Sequence, residues 1–328
     1  MSISGPRRSV LAWHVHGSWM ESFVSGRHHY LLPVTPDRGP DGRGRCGRNW
    51  PATVEVPVDR LADVDVDLVV LQRPEEVELA ERWLGRRPGV DVAAVYVEHN
   101  TPRWHASDSF HPLAHQRTIP IVHVTDFNRM MWDNGRAPST VIEHGMADPG
   151  ARYVGDIPHA AAMINEPLRR GRVVGADLLG PLGEAIPIDV WGIGTEDLND
   201  RRRRRVTGMG DVATASLLTA VARRRVYLHT ARWTSLGMSL VEAMFLAMPV
   251  VAVASTAAPL VVTGEAGVVS AHTGVLADAL RHFLSDRAAA EIAGKAARAY
   301  AQSRFGIDRF HADWDELIAG VCCQGREK

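Results

Sequence analysis

The sequence predicts an α/β protein made of two doubly wound, Rossmann-like domains facing a central crevice, and three observations predict it. The first is length: 328 residues exceed one ordinary domain and suit two, at about 100–200 residues each. The second is a recurrence of short Val- and Ile-rich runs separated by helical or loop segments, the pattern of strands in a mostly parallel sheet. The third is a cluster of turn-formers in mid-chain, Asp148-Pro149-Gly150 and Asp156-Ile157-Pro158, after which the strand pattern begins again.

The first series of runs is Ser9–Trp13, Val54–Val56, Leu68–Gln72, Val92–Val97, Ile119–Val124 and Thr140–Ile142. The second is Ala161–Ile164, Ile188–Trp191, Val226–Leu228, Pro249–Val253 and Gly267–Val269, with helical patterns over Val206–Arg225 and Ser239–Met248. The expected division gives residues 1–152 to an N-terminal domain and 153–328 to a C-terminal domain. The tail from Leu276 to Gly320 is helical, and Phe305, Phe310, Trp314 and Leu317 suit a final helix that has the option of packing back on the N-terminal domain. Thr35 to Asn49, with four glycines, four arginines and two prolines and no periodicity, is expected to be a mobile loop.

Composition excludes several classes. A net charge of −1 lacks the basic excess of a nucleic-acid binder, and the Arg201–Arg205 run alone reads as a solvated surface. Three cysteines, Cys46, Cys322 and Cys323, are too few for a disulfide framework and lack zinc-ligand spacing, which fits a reducing compartment. The apolar run after Arg7 and Arg8 is interrupted by His14 and His16, too soon for a signal peptide. Phe245–Val262 contains Pro249 and Pro259, which argues against a membrane span. The expected location is the cytoplasm, without stable membrane insertion. His14 and His16 form a potential metal pair, but no third ligand follows by spacing, so no metal is expected.

Ligands of open α/β sheets bind at the carboxyl ends of the strands, and the most informative stretch, Tyr227 to Met244 followed by Pro249-Val250-Val251, has that layout. A strand end, the loop Thr234-Ser235-Leu236-Gly237 and a helix start at Met238-Ser239 follow in succession, so the positive end of a helix dipole and its amides are offered to a phosphate. Ser239-x-x-Glu242 also fits a capping box, which would need no ligand.

This stretch resembles the retaining GT-B glycosyltransferases of the large family that includes sucrose and mannosyl transferases, whose Glu-x7-Glu signature spans such a loop and helix. Gly237, Glu242-Ala243-Met244 and Pro249-Val250-Val251 match, whereas Thr234 stands in place of the first glutamate. The resemblance implies that Glu242 holds the ribose hydroxyls of a nucleotide-sugar donor, that the amides of Met238 and Ser239 help hold the donor, and that the sugar-contacting carboxylate is absent. Val141–Asp148 resembles the family's segment at the end of the N-terminal domain, with His144 where that family has asparagine. After the linker, Asn165-Glu166 occupies the place of a Gly-Arg pair, and Arg169 or Arg172 is expected to take the diphosphate, though both also fit a plain surface role.

In the N-terminal half, His99 after Val95–Val97 is the candidate for the family's histidine near the transferred sugar, and Asp126 is a candidate for the acceptor side; each also fits a loop cap. His16 and Gly17 follow the first strand, where the family carries a glycine-rich loop touching donor and acceptor. The expected function is transfer of a hexosyl-type group from a nucleotide sugar to an unidentified acceptor, with retention, without a metal and without a further cofactor. The alternative is a catalytically silent GT-B protein that binds a nucleotide sugar or a protein partner. A dinucleotide-dependent oxidoreductase is disfavoured, because no Gly-x-Gly-x-x-Gly follows the first strand.

Overall fold

The computed structural model describes residues 5–103, 105–199 and 205–324, so Arg201–Arg204 of the arginine run lie outside the described residues. The chain forms two compact units: one runs to Ala147 and resumes at Ile307, the other is Asp148–Gly306. The division therefore falls at 147/148, ahead of 152/153, and the final helix groups with the first unit.

The first unit is built on seven parallel strands, β1 (Ser9–Ala12), β2 (His29–Val34), β3 (Thr53–Pro57), β4 (Leu68–Leu71), β5 (Ala93–Glu98), β6 (Ile121–His123) and β7 (Ser139–Val141). Their order is β3-β2-β1-β4-β5-β6-β7, so the direction of winding reverses between β1 and β4. The central strands are apolar on both faces; every residue of β4 is buried, as a sheet covered by helices on two sides requires. The helices α1 (Gly17–Phe23), α2 (Glu76–Leu84) and α3 (Asp126–Met131) follow β1, β4 and β6. β2 is absent from the sequence expectation because Pro33 and the flanking histidines obscure its apolar run.

The second unit repeats the plan with β8 (Ile157–Met163), β9 (Ile188–Trp191), β10 (Val206–Gly210), β11 (Arg224–His229), β12 (Val250–Val253) and β13 (Gly267–Ser270), all parallel. Their order, β10-β9-β8-β11-β12-β13, places a second reversal between β8 and β11. Its helices are α4 (Pro167–Arg170), α5 (Ala176–Gly183), α6 (Thr214–Ala222), α7 (Met238–Phe245), α8 (Ala258–Val261), α9 (Thr273–Ser285) and α10 (Arg287–Phe305). The helical reading of Val206–Arg225 is corrected here: Val206–Gly210 is a strand beside β9, and only Thr214–Ala222 is helical. Gly208 suits that strand because a Cβ there would lie 1.7 Å from the Thr195 carbonyl oxygen.

The last helix, α11 (Ile307–Gln324), buries Phe310, Trp314, Ile318 and Cys322, spaced by four, against Trp19, Phe23 and the strands of the first unit. Thr35–Asn49 is irregular, as expected, but closely tied rather than loose: the Thr35 amide donates to the Gly42 carbonyl at 2.9 Å and the Arg45 amide to Glu55 at 2.8 Å.

Candidate functional site

Each unit presents polar groups at its own switch point, where a doubly wound sheet leaves an opening beyond the strand ends. In the second unit β8 leads to α4 and α5, and β11 leads to α7. Gly175, just before α5, has φ +71°, and a Cβ there would lie 1.9 Å from the Thr230 carbonyl oxygen, so only glycine allows the two loops to meet. The amides of Arg232 and Trp233 donate to the Val173 carbonyl, and Thr230 Oγ1 donates to the Val174 carbonyl at 2.7 Å, which ties the loop after β11 to the start of α5.

Helix α7 starts after Gly237 with no side-chain cap. Gly237 lies against His229, whose Cε1 would be 2.9 Å from an added Cβ. Ser239 does not cap the helix; its Oγ lies 3.5 Å from the Met163 carbonyl oxygen, so the capping-box reading of Ser239 and Glu242 is not realised. Glu242 is half-buried, and among the described residues its carboxylate has no hydrogen bond or ion pair. Burial holds its carboxyl above the usual range. Thr234, one residue before the buried Ser235, keeps Oγ1 buried without a hydrogen-bond partner among the described residues. His229, at the end of β11, is buried and held neutral, its pKa lowered to about 4 by desolvation.

The two arginines named from the sequence are engaged. Arg169 forms a bidentate pair with Glu166, a non-glycine residue at φ +53°, and Arg172 pairs with Asp177 at 3.0 Å, which Arg232 also binds. Arg170, between them, is half-buried with no ion pair among the described residues, and burial followed by the neighbouring Arg169 lowers its pKa. Sequence reasoning passes over Arg170 because three arginines in four positions look alike until burial and pairing separate them.

In the first unit the reversal lies between β1 and β4, and three histidines gather there and at the neighbouring β5 end. The His16 and His99 ring centroids are 4.1 Å apart; His144, after β7, disfavours protonation of His99, and His16 disfavours that of His144. Burial is the leading cause in all three: it brings His16 and His144 to about 4 and His99 well below its ordinary value. His144 Nδ1 is buried without a partner. Among the described residues no group of three His, Cys, Asp or Glu is disposed to hold a metal ion. Gly17, the first residue of α1, would bring a Cβ 3.1 Å from the Arg48 guanidinium.

Asp126 is exposed in the first turn of α3, where a carboxylate complements the helix dipole, while Thr125 caps that helix by accepting from the Asn128 amide. Among the described residues no hydrogen bond or ion pair joins it to the histidine group. Gln72, absent from the candidate site residues read from the sequence, joins that group through His99: it is buried, and its Oε1 is 3.1 Å from His99 Nε2. The signal available for it is a polar residue directly after the fully apolar β4.

No described helix is long and apolar enough to cross a membrane. Solved structures share the fold over nearly the whole chain. HepE of Anabaena, in complex with UDP-glucose, aligns with 96% of this chain and 100% of its own at 16% identity and a TM-score of 0.72. Sucrose-phosphate synthase of Thermosynechococcus elongatus aligns with 97% and 100% at 14% identity and 0.71, and a glycosyltransferase of Rickettsia africae with 97% and 99% at 12% and 0.68. No curated protein sequence matches the chain. The two Rossmann-like units are thus those of the GT-B fold, and residues 183–286, within the second unit, match the family model of glycosyl transferases group 1.

Proposed function

We propose that the chain transfers a sugar from a nucleotide-activated donor to a hydroxyl-bearing acceptor, with the donor held by the second unit. The observation that carries this reading is Glu242: a half-buried carboxylate without a donor of its own, near the start of an uncapped helix, inside the segment that matches group 1 glycosyl transferases. Ribose hydroxyls supply the donors it lacks. The amides at the start of α7 and the half-buried Arg170, which has no ion pair among the described residues, suit a diphosphate, since a guanidinium partly withdrawn from water gains from an incoming anion. That assignment replaces Arg169 and Arg172, which are exposed and held in ion pairs.

On this reading the protein stabilises charge developing on the leaving diphosphate through fixed donors, and needs no metal for it. Retention is proposed on the resemblance to the Glu-x7-Glu family alone. His99 near the transferred sugar, and Met238, Ser239, Gly237 and Thr234 at the donor, are proposed on the same resemblance. The location proposed is the cytoplasm. A second reading, a silent nucleotide-sugar-binding protein, is favoured by one observation: Thr234 stands where the signature has its first carboxylate.

The test is a thermal-shift screen of the protein with UDP, GDP, ADP and TDP and their common sugars, followed by assay of donor turnover. A base-specific rise in Tm is expected, lost in Glu242→Ala and reduced in Arg170→Ala but not in Arg169→Ala. No shift with any nucleotide would overturn the reading, and binding without turnover or hydrolysis of any donor would select the silent alternative.

A further inference from the structure

A glutamine amide that fills both ends of its hydrogen-bonding capacity can fix which nitrogen of a neighbouring histidine carries the proton. Gln72 has that geometry. It is the first residue beyond β4, across the switch point from β1, and is 4% exposed. Its side-chain amide nitrogen donates to the Trp13 carbonyl at 2.7 Å and lies 3.6 Å from Met20 Sδ. A backbone carbonyl can only accept, so the orientation of the amide follows from its partner. Oε1 is thereby turned toward His99 Nε2, 3.1 Å away, and accepts a hydrogen bond from it.

The backbone of Gln72 is fixed as well. The buried Glu76 carboxylate accepts from the Gln72 amide at 2.6 Å and from the Arg73 amide at 3.2 Å, and its other oxygen takes the Arg73 guanidinium at 2.7 Å. Glu76 therefore anchors the turn, the turn fixes Gln72, and Gln72 bridges the ends of β1, β4 and β5. The His16 ring stands 4.1 Å from that of His99 and the Trp19 edge 5.0 Å, and both His16 and His144 disfavour an imidazolium there.

We propose that Gln72 is the positioning residue of the sugar-transfer site: it holds His99 as a single neutral tautomer protonated at Nε2, leaving Nδ1 as the ring's hydrogen-bond acceptor. A neutral ring of fixed orientation is suited to sorting hydroxyl groups of a sugar and does not attract anions. The consequence for catalysis rests on the proposed function, whereas the tautomer stands on the geometry of the first unit alone.

The experiment is long-range ¹H–¹⁵N NMR of histidine-labelled full chain, with His99→Asn used to assign the signals. In the wild type the His99 ring is expected in the Nε2–H form from pH 8 to pH 6. In Gln72→Met the ring should become a mixture of tautomers. An Nδ1–H or protonated His99 in the wild type, or a spectrum unchanged in Gln72→Met, would overturn the assignment. With an active donor, Gln72→Met is expected to lower kcat roughly 10–100-fold, the range for losing a partner that orients a histidine, with donor KM little changed. An unchanged kcat in Gln72→Met with its tautomer lost would refute the positioning role. Absence of turnover in the wild type would instead bear on the proposed function, and the tautomer result would still be decided by NMR.

Discussion

A carboxylate withdrawn from water without a donor costs free energy that its own fold does not return, and Glu242 is in that position. Its folded pKa is raised, so the penalty is absent below the unfolded value and grows as pH rises from there through the folded one. Glu242→Gln removes the charge and keeps the shape. The variant is expected to melt a few degrees higher than the wild type without ligand at pH 8, the scale of about 1 kcal/mol in a chain of this size. The same variant should show a smaller nucleotide-induced shift, because a neutral amide accepts more weakly from ribose hydroxyls than a carboxylate does. Differential scanning with and without nucleotide measures both; a lower melting temperature without ligand would mean that Glu242 has a structural partner.

Helix α7 holds its place through α10, which crosses it where Gly294 meets Ala247. A Cβ at Gly294 would lie 2.0 Å from the Ala247 carbonyl oxygen, and Ala247 itself is held at φ +68°. Gly294→Ala gains about 1 kcal/mol of helix propensity, but it must push α10 away from the backbone that follows α7. The clash is expected to win, with a net loss of about 1–3 kcal/mol in urea unfolding and a weaker donor site, since α7 carries Glu242. A stabilised variant would show that α10 can slide. The same elements explain what can be read from sequence. The α7 segment is legible because Gly237, Glu242 and Pro249 are each demanded by local geometry or chemistry at fixed spacing. By contrast β10 reads as helix: Gly208-Met209-Gly210 has no apolar alternation, and its strand character comes from pairing with β9. Gln72 and Arg170 are illegible for a related reason. Their significance lies in partners brought by other strands or in the lack of any ion-pair partner, neither of which spacing along the chain encodes.

At the scale of the whole molecule, neutral histidines withdrawn from water set the response to acid. His16, His123, His144 and His229 have pKa values lowered to about 4 by burial, and His99 lies well below the ordinary value. In the unfolded chain each titrates near 6.5. Groups whose folded pKa is depressed in this way give stability that is present above the unfolded pKa and is lost as pH falls toward the folded one. Glu76, pushed up to about 7 by burial against its Arg73 and amide partners, and Glu242 act in the opposite sense, each taking up a proton in the folded state first. His14 and His28 are lowered in the same direction, so the histidines outnumber the two carboxyls and the unfolded chain binds more protons than the folded one below pH 6.5. Stability is therefore expected to fall with pH in that range. Urea midpoints are expected to be level from pH 8 to 7 and to fall steeply below pH 6. His123→Gln, which removes one of these titrating groups and keeps a donor for Asn134, should flatten the fall by about one proton. A midpoint unchanged down to pH 5 would mean that these histidines take up protons while folded, and that the sheet ends of both units admit charge more readily than their burial implies.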